Sequence, residues 1–136
     1  MSNSRLTQRS IRVAISIGEL IDKITILEIK AARITDQAKL GNIVAELSML
    51  NEVKTAAGLS TPDMEPFAEE LKSINLELWN VEDAIRALEL QGDFGERFVA
   101  LARSVYLTND RRSRVKQRIN AAYGSQIVEE KSYVGF

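Results

Sequence analysis

The strongest pattern in the sequence is an apolar repeat in the middle of the chain. Apolar residues recur there at alternating intervals of four and three, at Phe67, Leu71, Ile74, Leu78, Val81, Ile85 and Leu88. This spacing places them all on one stripe of an α-helix, whereas a β-strand would divide them between its two faces. Pro66 suits the first turn of a helix and Gly92 suits its end. The repeat therefore predicts one long helix over about residues 64–91.

A second long helix follows after a very short connection. Apolar positions keep one helical phase from Phe98 to Gly124, with Thr108 and Arg112 as polar interruptions. Asp93 and Glu96 have the spacing of a helix-capping pair, so we predict a continuous helix over about residues 94–123. A break at Thr108 and the residue after it, both plausible caps, is the alternative. Because so few residues join the two long helices, they should lie antiparallel.

Two further helices are predicted upstream. Ser16 and Glu19 form a capping-box pattern at the start of the first, over about residues 17–34. Asp36 can cap the second, over about 37–57, where the apolar phase slips. The first helix also carries apolar residues outside its main stripe: Ile21, Ile26 and Ile29. An apolar surface this broad should be covered from two sides, either within the chain or by a partner.

The terminal segments carry weaker patterns. Residues 1–10 are predicted to be flexible, and the alternation in residues 11–15, IRVAI, predicts a short strand. The tail over residues 124–136 could pair with that strand, clamp across the helices through Tyr133, or remain free. The whole chain, 1–136, is thus predicted to be a single all-α domain. Its architecture would be an elongated bundle of two antiparallel helical hairpins, with short extended N- and C-terminal segments.

The sequence contains neither Cys nor His. Thiol nucleophiles, disulfides, histidine bases and nearly all zinc sites are therefore excluded. No loop has the D-x-D-x-D-G spacing of a calcium site, so we predict neither a metal nor a cofactor. Whether the chain is an enzyme stays open, with a non-enzymatic role favoured.

No apolar run approaches the roughly 18 residues that a membrane-spanning helix needs. The first residues also lack the apolar core of a secretory signal, so we expect a cytoplasmic protein without a membrane partner. The net charge is −1, which argues against a polyanion binder as a whole and leaves only local patches.

One such patch is the basic stretch, residues 111–118, which holds Arg111, Arg112, Arg114, Lys116 and Arg118. The antiparallel hairpin would set it against the acids at the start of the preceding helix: Asp63, Glu65, Glu69 and Glu70. We therefore interpret the stretch as an internally balanced helix end. A small anion site and a nucleic-acid surface are the alternatives, and nucleic acid is disfavoured because no aromatic residue lies within the stretch.

A candidate polar cluster lies further along the same hairpin. Its members are Trp79, Glu82, Arg86, Arg103, Tyr106, Asn109, Asp110 and Arg111. One interpretation is a structural layer in which Glu82 pairs with Arg86 and Arg103. Another is a ligand pocket, with Arg86, Arg103 and Arg111 clamping an anionic metabolite and Glu82 or Asp110 acting as acid or base.

A protein interface is the third interpretation. Its candidate residues are Ile21, Ile26, Ile29 and Trp79. On this basis the favoured function is a self-associating structural or adaptor protein. A homodimer is the favoured assembly, and a different protein partner is possible.

Four sequence blocks, taken in order, resemble an uncharacterised family of small bacterial and phage proteins. The blocks are GELIDKITILEIK, LWNVEDAIR, ARSVYLTNDRR and EEKSY. The likeness runs from about Val13 to Tyr133, nearly the whole chain. It implies a compact single domain and a bacterial origin, and it brings no activity, substrate or catalytic residue with it.

Overall fold

A computed structural model describes residues 9–134, and the regular structure in this range consists of four α-helices. Helix α1 spans Ile17–Arg33, α2 spans Gln37–Ala56, α3 spans Met64–Gln91 and α4 spans Glu96–Tyr123. No residue between 9 and 134 belongs to a strand. The predicted all-α class is therefore confirmed. Helix α3 has the bounds predicted for it, and α4 is continuous, so the alternative break near Thr108 is wrong.

The short strand predicted over residues 11–15 does not form. These residues have no regular secondary structure, and both Ile11 and Val13 are exposed. A strand needs a neighbouring strand to accept its backbone hydrogen bonds, and the tail residues up to 134 provide none. The flexibility predicted for the N-terminus falls mainly on residues 1–8, which lie outside the described part of the chain.

The predicted capping pairs have different outcomes at α1 and α4. The Ser16 hydroxyl accepts a hydrogen bond from the backbone N–H of Glu19 at 3.1 Å, as expected for the start of α1. At α4, the N-cap is Gly95 and has no side-chain cap. The carboxylate of Asp93 instead accepts from the Gly95 N–H at 3.1 Å, so it stabilises the turn between the helices. The predicted cap at Asp93 is therefore wrong, and α4 begins two residues later than expected.

Helices α3 and α4 form an antiparallel hairpin whose turn contains Gly92. This residue has a φ of 66°, in the left-handed region that glycine enters without steric cost. The hydrogen bond from Arg111 to Glu77, 2.8 Å, fixes the register, together with the one from Arg118 to Glu70, 2.6 Å. This register is close to the one that the short connection predicts.

Helix α1 is the centre of the bundle. It packs against each of the other three helices, whereas α2 packs against α1 alone among them. These packings share one hydrophobic core. Its buried residues are Leu20, Ile21, Ile24, Leu59, Met64, Leu71, Ile74, Val115 and Ile119. Ile21 and Ile29 are both buried and Ile26 is half-buried. Most of the broad apolar surface of α1 is thus covered within the chain.

The hairpin extends further than α1 can cover. Helix α1 has 17 residues and α3 and α4 have 28 each, or about 25 Å against about 42 Å. The segment around the turn, residues 87–104, is called here the hairpin tip. Several of its large apolar side chains are exposed, namely Leu90, Phe94 and Val99.

Candidate functional site

A buried polar network lies where α1, α3 and α4 meet. Asp22 and Thr25 come from α1 and Asn75 from α3, and all three are buried. The Asn75 amide nitrogen donates to the Asp22 carboxylate at 2.7 Å and to the Thr25 hydroxyl at 3.0 Å. That hydroxyl donates its own proton to the main-chain oxygen of Asp22 at 2.8 Å, so towards Asn75 it acts as the acceptor. These bonds fix the orientation of the Asn75 amide.

Arg112 binds the oxygen of the Asn75 amide. Its Nη1 donates to Asn75 Oδ1 at 3.2 Å and lies 3.9 Å from Asp22 Oδ2, an ion pair too long for a direct hydrogen bond. A guanidinium carries five N–H donors, and this is its one hydrogen bond to the described residues. The side chain is 28% exposed. Arg112 is therefore held in position while most of its donors remain available to a ligand.

Lys116, one turn further along α4, links that helix to α1 and the tail. Its Nζ donates to Glu19 Oε2 at 2.6 Å and lies 3.8 Å from Asp22 and 3.5 Å from Glu129. Glu129 also accepts from the Ser16 hydroxyl at 3.0 Å. Because three carboxylates surround its ammonium group, Lys116 serves the packing of the helices more than it serves a ligand.

The ionisation of Glu19 reflects this arrangement. Partial burial by itself raises its pKa, but the hydrogen bond and charge of Lys116 outweigh the burial, with further help from Lys23 and Arg112. The pKa of Glu19 therefore lies below the ordinary value for a glutamate. At neutral pH the group is a carboxylate, which keeps Lys116 fixed against α1.

Three surface cavities meet at Arg112. The first, the Trp79 cavity, has a volume of about 350 Å³ and is lined by Ile26, Ile29, Asn75, Leu78, Trp79, Glu82, Asp83, Arg86 and Arg112. The second, the tail cavity, has about 630 Å³ and is lined by Val105, Tyr106, Asn109, Asp110, Arg112, Lys131, Tyr133 and Val134. The third, of about 300 Å³, lies over Glu19, Asp22 and Lys116 between α1, α2 and α4. Arg112 is the side chain that lines all three.

A family model described as a family of unknown function (DUF6165) matches residues 11–135. The chain belongs to this family. The resemblance to an uncharacterised family is thereby confirmed, and membership assigns no activity. No curated protein and no solved structure is significantly similar to the chain. Its function therefore has to be inferred from the geometry of the site.

The predicted polar cluster divides between two of the cavities. Three members line the Trp79 cavity: Trp79, Glu82 and Arg86. Three others line the tail cavity: Tyr106, Asn109 and Asp110. Arg103 and Arg111 line neither of these two. Trp79, also proposed as an interface residue, is half-buried.

The contacts expected within that cluster form only in part. Glu82 pairs with Arg86 at 3.3 Å, as predicted. Its expected partner Arg103 is exposed on the hairpin tip and forms no ion pair with any described residue. Arg111 pairs with Glu77 at 2.8 Å. Of the three arginines predicted to clamp a ligand, only Arg86 lines the Trp79 cavity.

The predicted partners of the basic stretch also need correction. Of the four acids expected to face it, only Glu70 forms an ion pair with it, at 2.6 Å from Arg118. The other three, namely Asp63, Glu65 and Glu69, are exposed and make no ion pair among the described residues. Arg112 and Lys116 turn to α1, because they share the face of α4 on which that helix packs.

Asp22 and Asn75 were not predicted as site residues, and Arg112 and Lys116 were predicted only as part of the basic stretch, with a small anion site as one alternative. A weak signal was present, since Arg112 interrupts an apolar stripe and Asp22 lies among isoleucines. A charged residue in such a position has to find a buried partner. Among residues 9–134 no group of three or more side chains is arranged to hold a metal ion. Nor is any helix in that range long and apolar enough to cross a membrane.

Proposed function

We propose that this protein binds a small anionic ligand, whose anionic group is held by Arg112. The observation that carries the proposal is the fixed position of this guanidinium at the meeting point of three cavities. The Asn75 amide holds it at 3.2 Å, and Asn75 is itself fixed by Asp22 and Thr25. A pre-positioned arginine loses little entropy when it binds a carboxylate or phosphate through two parallel hydrogen bonds.

The Trp79 cavity, one of the three that meet at Arg112, can hold the rest of such a ligand. Its volume of about 350 Å³ lies within the usual range for small-molecule pockets. Trp79 and Leu78 form an apolar wall, while Asp83 and Arg112 supply polar groups. A ring or other apolar part of a ligand can lie against the indole while its anionic group reaches the guanidinium.

The state of the basic stretch supports a small ligand over a nucleic acid. Arg111 and Arg118 pair with acids on α3, and Arg112 and Lys116 pair with acids on α1. Among the five cations of the basic stretch, only Arg114 forms no ion pair with a described residue. A phosphate backbone requires a row of available cations, which these pairings reduce. We propose the cytoplasm, where small anionic metabolites are abundant, as its compartment.

Fluorescence of Trp79, the only tryptophan, tests the proposal. We expect a saturable change in emission when the protein is titrated with one or more of a hexose phosphate, a nucleoside monophosphate and a dicarboxylate. Arg112→Gln should weaken that binding about tenfold or more, since a hydrogen bond to a charged group contributes about 1.5–3 kcal/mol. Thermal unfolding of the variant checks that it is folded.

The matched control is Arg114→Gln. Arg114 lies on the same helix, is exposed and has no acidic partner among the described residues. Its replacement should leave the affinity unchanged. A lack of response to every ligand, or equal loss of affinity in both variants, would contradict the proposal.

Self-association through the hairpin tip is a second candidate function. Leu90 is 90% exposed, Phe94 56% and Val99 51%, and Phe94 packs edge-on against Phe98 with ring centroids 5.2 Å apart. Exposed apolar side chains that cluster in this way often mark a contact surface. We favour a homodimer, and a different protein partner is the alternative. Light scattering after size exclusion should show a dimer that Leu90→Lys dissociates; a monomer at high concentration would contradict it.

A further inference from the structure

The C-terminal tail returns along α4 and forms one wall of the tail cavity. The tail is attached at two points: the Ser125 hydroxyl accepts from the Ile17 N–H at 3.1 Å, and Glu129 is held by Ser16 and Lys116. Beyond Glu129 the chain reaches the middle of α4. The tail cavity lies there, between α4 and the last described residues. It therefore exists only because the tail is folded back.

The chemistry of the tail cavity is that of a site for a charged, hydroxylated ligand. Arg112 from α4 and Lys131 from the tail give it two cations, and Asp110 gives it one carboxylate. Asn109 adds an amide that can donate and accept. The Lys131 ammonium lies 5.9 Å from the centre of the Tyr133 ring, a cation–π distance that keeps it beside the cavity wall.

We infer that the tail cavity binds a phosphate ester that also carries hydroxyl groups, with its phosphoryl group between Arg112 and Lys131. This inference rests on the proposed function, in which Arg112 holds the anionic group; it specifies the ligand class and assigns the phosphoryl group to the tail cavity and not to the Trp79 cavity. A phosphate monoester carries close to two negative charges at neutral pH, which matches two cations contributed by separate elements. Asp110 would repel a bare anion, but it can accept a hydrogen bond from a ligand hydroxyl beside the phosphoryl group. Sugar phosphates and nucleotides share this chemistry.

The inference gives the tail a role that its packing alone does not require. Lys131 and Tyr133 are exposed, and Lys131 forms no ion pair with a described residue. Replacing Lys131 should thus leave the fold intact while it removes half of the positive charge offered to the phosphoryl group. A change in affinity without a change in stability distinguishes a binding residue from a structural one.

Isothermal titration calorimetry of the full chain tests the inference. The probes are glucose 6-phosphate, uridine monophosphate, inorganic phosphate, glucose and succinate. We expect at least one of the two phosphate esters to bind more tightly than glucose, succinate and inorganic phosphate. Lys131→Gln should weaken it about tenfold or more. Lys39→Gln, at an exposed lysine on α2, is the matched control and should bind like the unmodified chain. Affinity should also rise from pH 5 to pH 7, because the ester loses its second proton near pH 6.

The outcomes separate this inference from the proposed function. Unchanged affinity in Lys131→Gln overturns the inference, and the proposed function stands if Arg112→Gln still loses binding. Tighter binding of succinate than of either ester likewise overturns the phosphate assignment alone. Failure of every probe to bind overturns both. Preference for one ester identifies a sugar phosphate or a nucleotide as the source of the phosphoryl group.

Discussion

The two halves of the α3–α4 hairpin differ in how well their apolar residues are covered. In the half that α1 covers, Leu71, Ile74 and Ile119 are almost completely buried. In the hairpin tip, Leu88, the last residue of the stripe, is still buried, whereas Leu90 and Phe94, which lie outside the stripe, are exposed. The seam between α3 and α4 is therefore buried or half-buried as far as Leu88, and the difference between the halves lies in apolar residues outside that stripe. Apolar residues beside such a seam are covered only where a third element packs on them.

The candidate site lies at the boundary between these two halves. Ile29, near the C-terminal end of α1, shares the Trp79 cavity with Trp79 and Arg86 of α3. A cavity forms here because α1 ends while α3 continues. The buried network beside it, centred on Asp22 and Asn75, gives the boundary fixed polar groups. The site therefore has hydrogen-bonded, buried polar groups on one side and is open on the other.

Two leucines of α3 differ most in exposure, one on the apolar stripe and one outside it. Leu71 is 0% exposed and Leu90 is 90% exposed. Leu71→Ala should lower the free energy of unfolding by about 2–5 kcal/mol, because it leaves a cavity in the core. Leu90→Ala should change it by less than about 0.5 kcal/mol in the monomer. Urea denaturation measures both, and similar values for the two variants would contradict the division of the hairpin.

The buried polar network predicts a second effect on stability. Asn75→Ala removes the hydrogen bonds to Asp22 and Arg112, and a bond to a charged group contributes about 1.5–3 kcal/mol. We expect a loss of that size in the free energy of unfolding, together with weaker binding of anions. Asn80→Ala, at an exposed position on the same helix, is the control and should be nearly neutral. If both substitutions were neutral, the network would not be holding Arg112.

The close approach of α1 to α4 predicts a third effect. A Cβ atom added at Gly18 would lie 2.6 Å from the backbone oxygen of Lys116, too close without movement of one helix. Gly18→Ala should therefore destabilise the fold by about 1–3 kcal/mol in chemical denaturation. Gly41, inside α2, has nothing within 4 Å of such an atom. Gly41→Ala should instead stabilise by about 0.4–1 kcal/mol, since alanine favours helix, and destabilisation there would refute the open packing of α2.

The smallest effect concerns pH. Because the pKa of Glu19 is lower in the folded protein than its ordinary value, its ion pair contributes stability above that value. This contribution is lost as the pH falls from about 4.3 through the lowered folded pKa. Unfolding experiments from pH 7 to pH 3 should show it, and Lys116→Gln should reduce the slope in this acidic range. An unchanged slope would mean that Lys116 is not the cause of the lowered pKa.

The helices could be predicted from the sequence because their signals are local. The stripe from Phe67 to Leu88, the glycine at position 92 and the serine cap at position 16 all act within a few residues. The cap at Asp93 was wrong because Gly95 lets the turn extend and the helix start later. Local signals of this kind determine where a helix begins but not which helix lies beside it.

The site could be predicted only in part because its contacts are distant in sequence. Lys116 and Glu19 are 97 residues apart, and Asn75 is 53 residues from Asp22. The hairpin register brought α3 and α4 together correctly, but nothing local showed that α1 packs on the face of α4 that carries Arg112. The acidic partners of the basic stretch were therefore assigned mainly to α3, whereas two of its cations pair with α1.

The central claim, that Arg112 is a ligand-binding guanidinium, is tested most directly by exchanging it for another cation. Arg112→Lys keeps the charge but removes the planar pair of donors that a phosphate or carboxylate can bind. The measurement is the dissociation constant of the tightest-binding anion for the unmodified chain, for Arg112→Lys and for Arg114→Lys. We predict binding about tenfold or more weaker in Arg112→Lys and unchanged in Arg114→Lys. Equal affinity in all three proteins would contradict the claim.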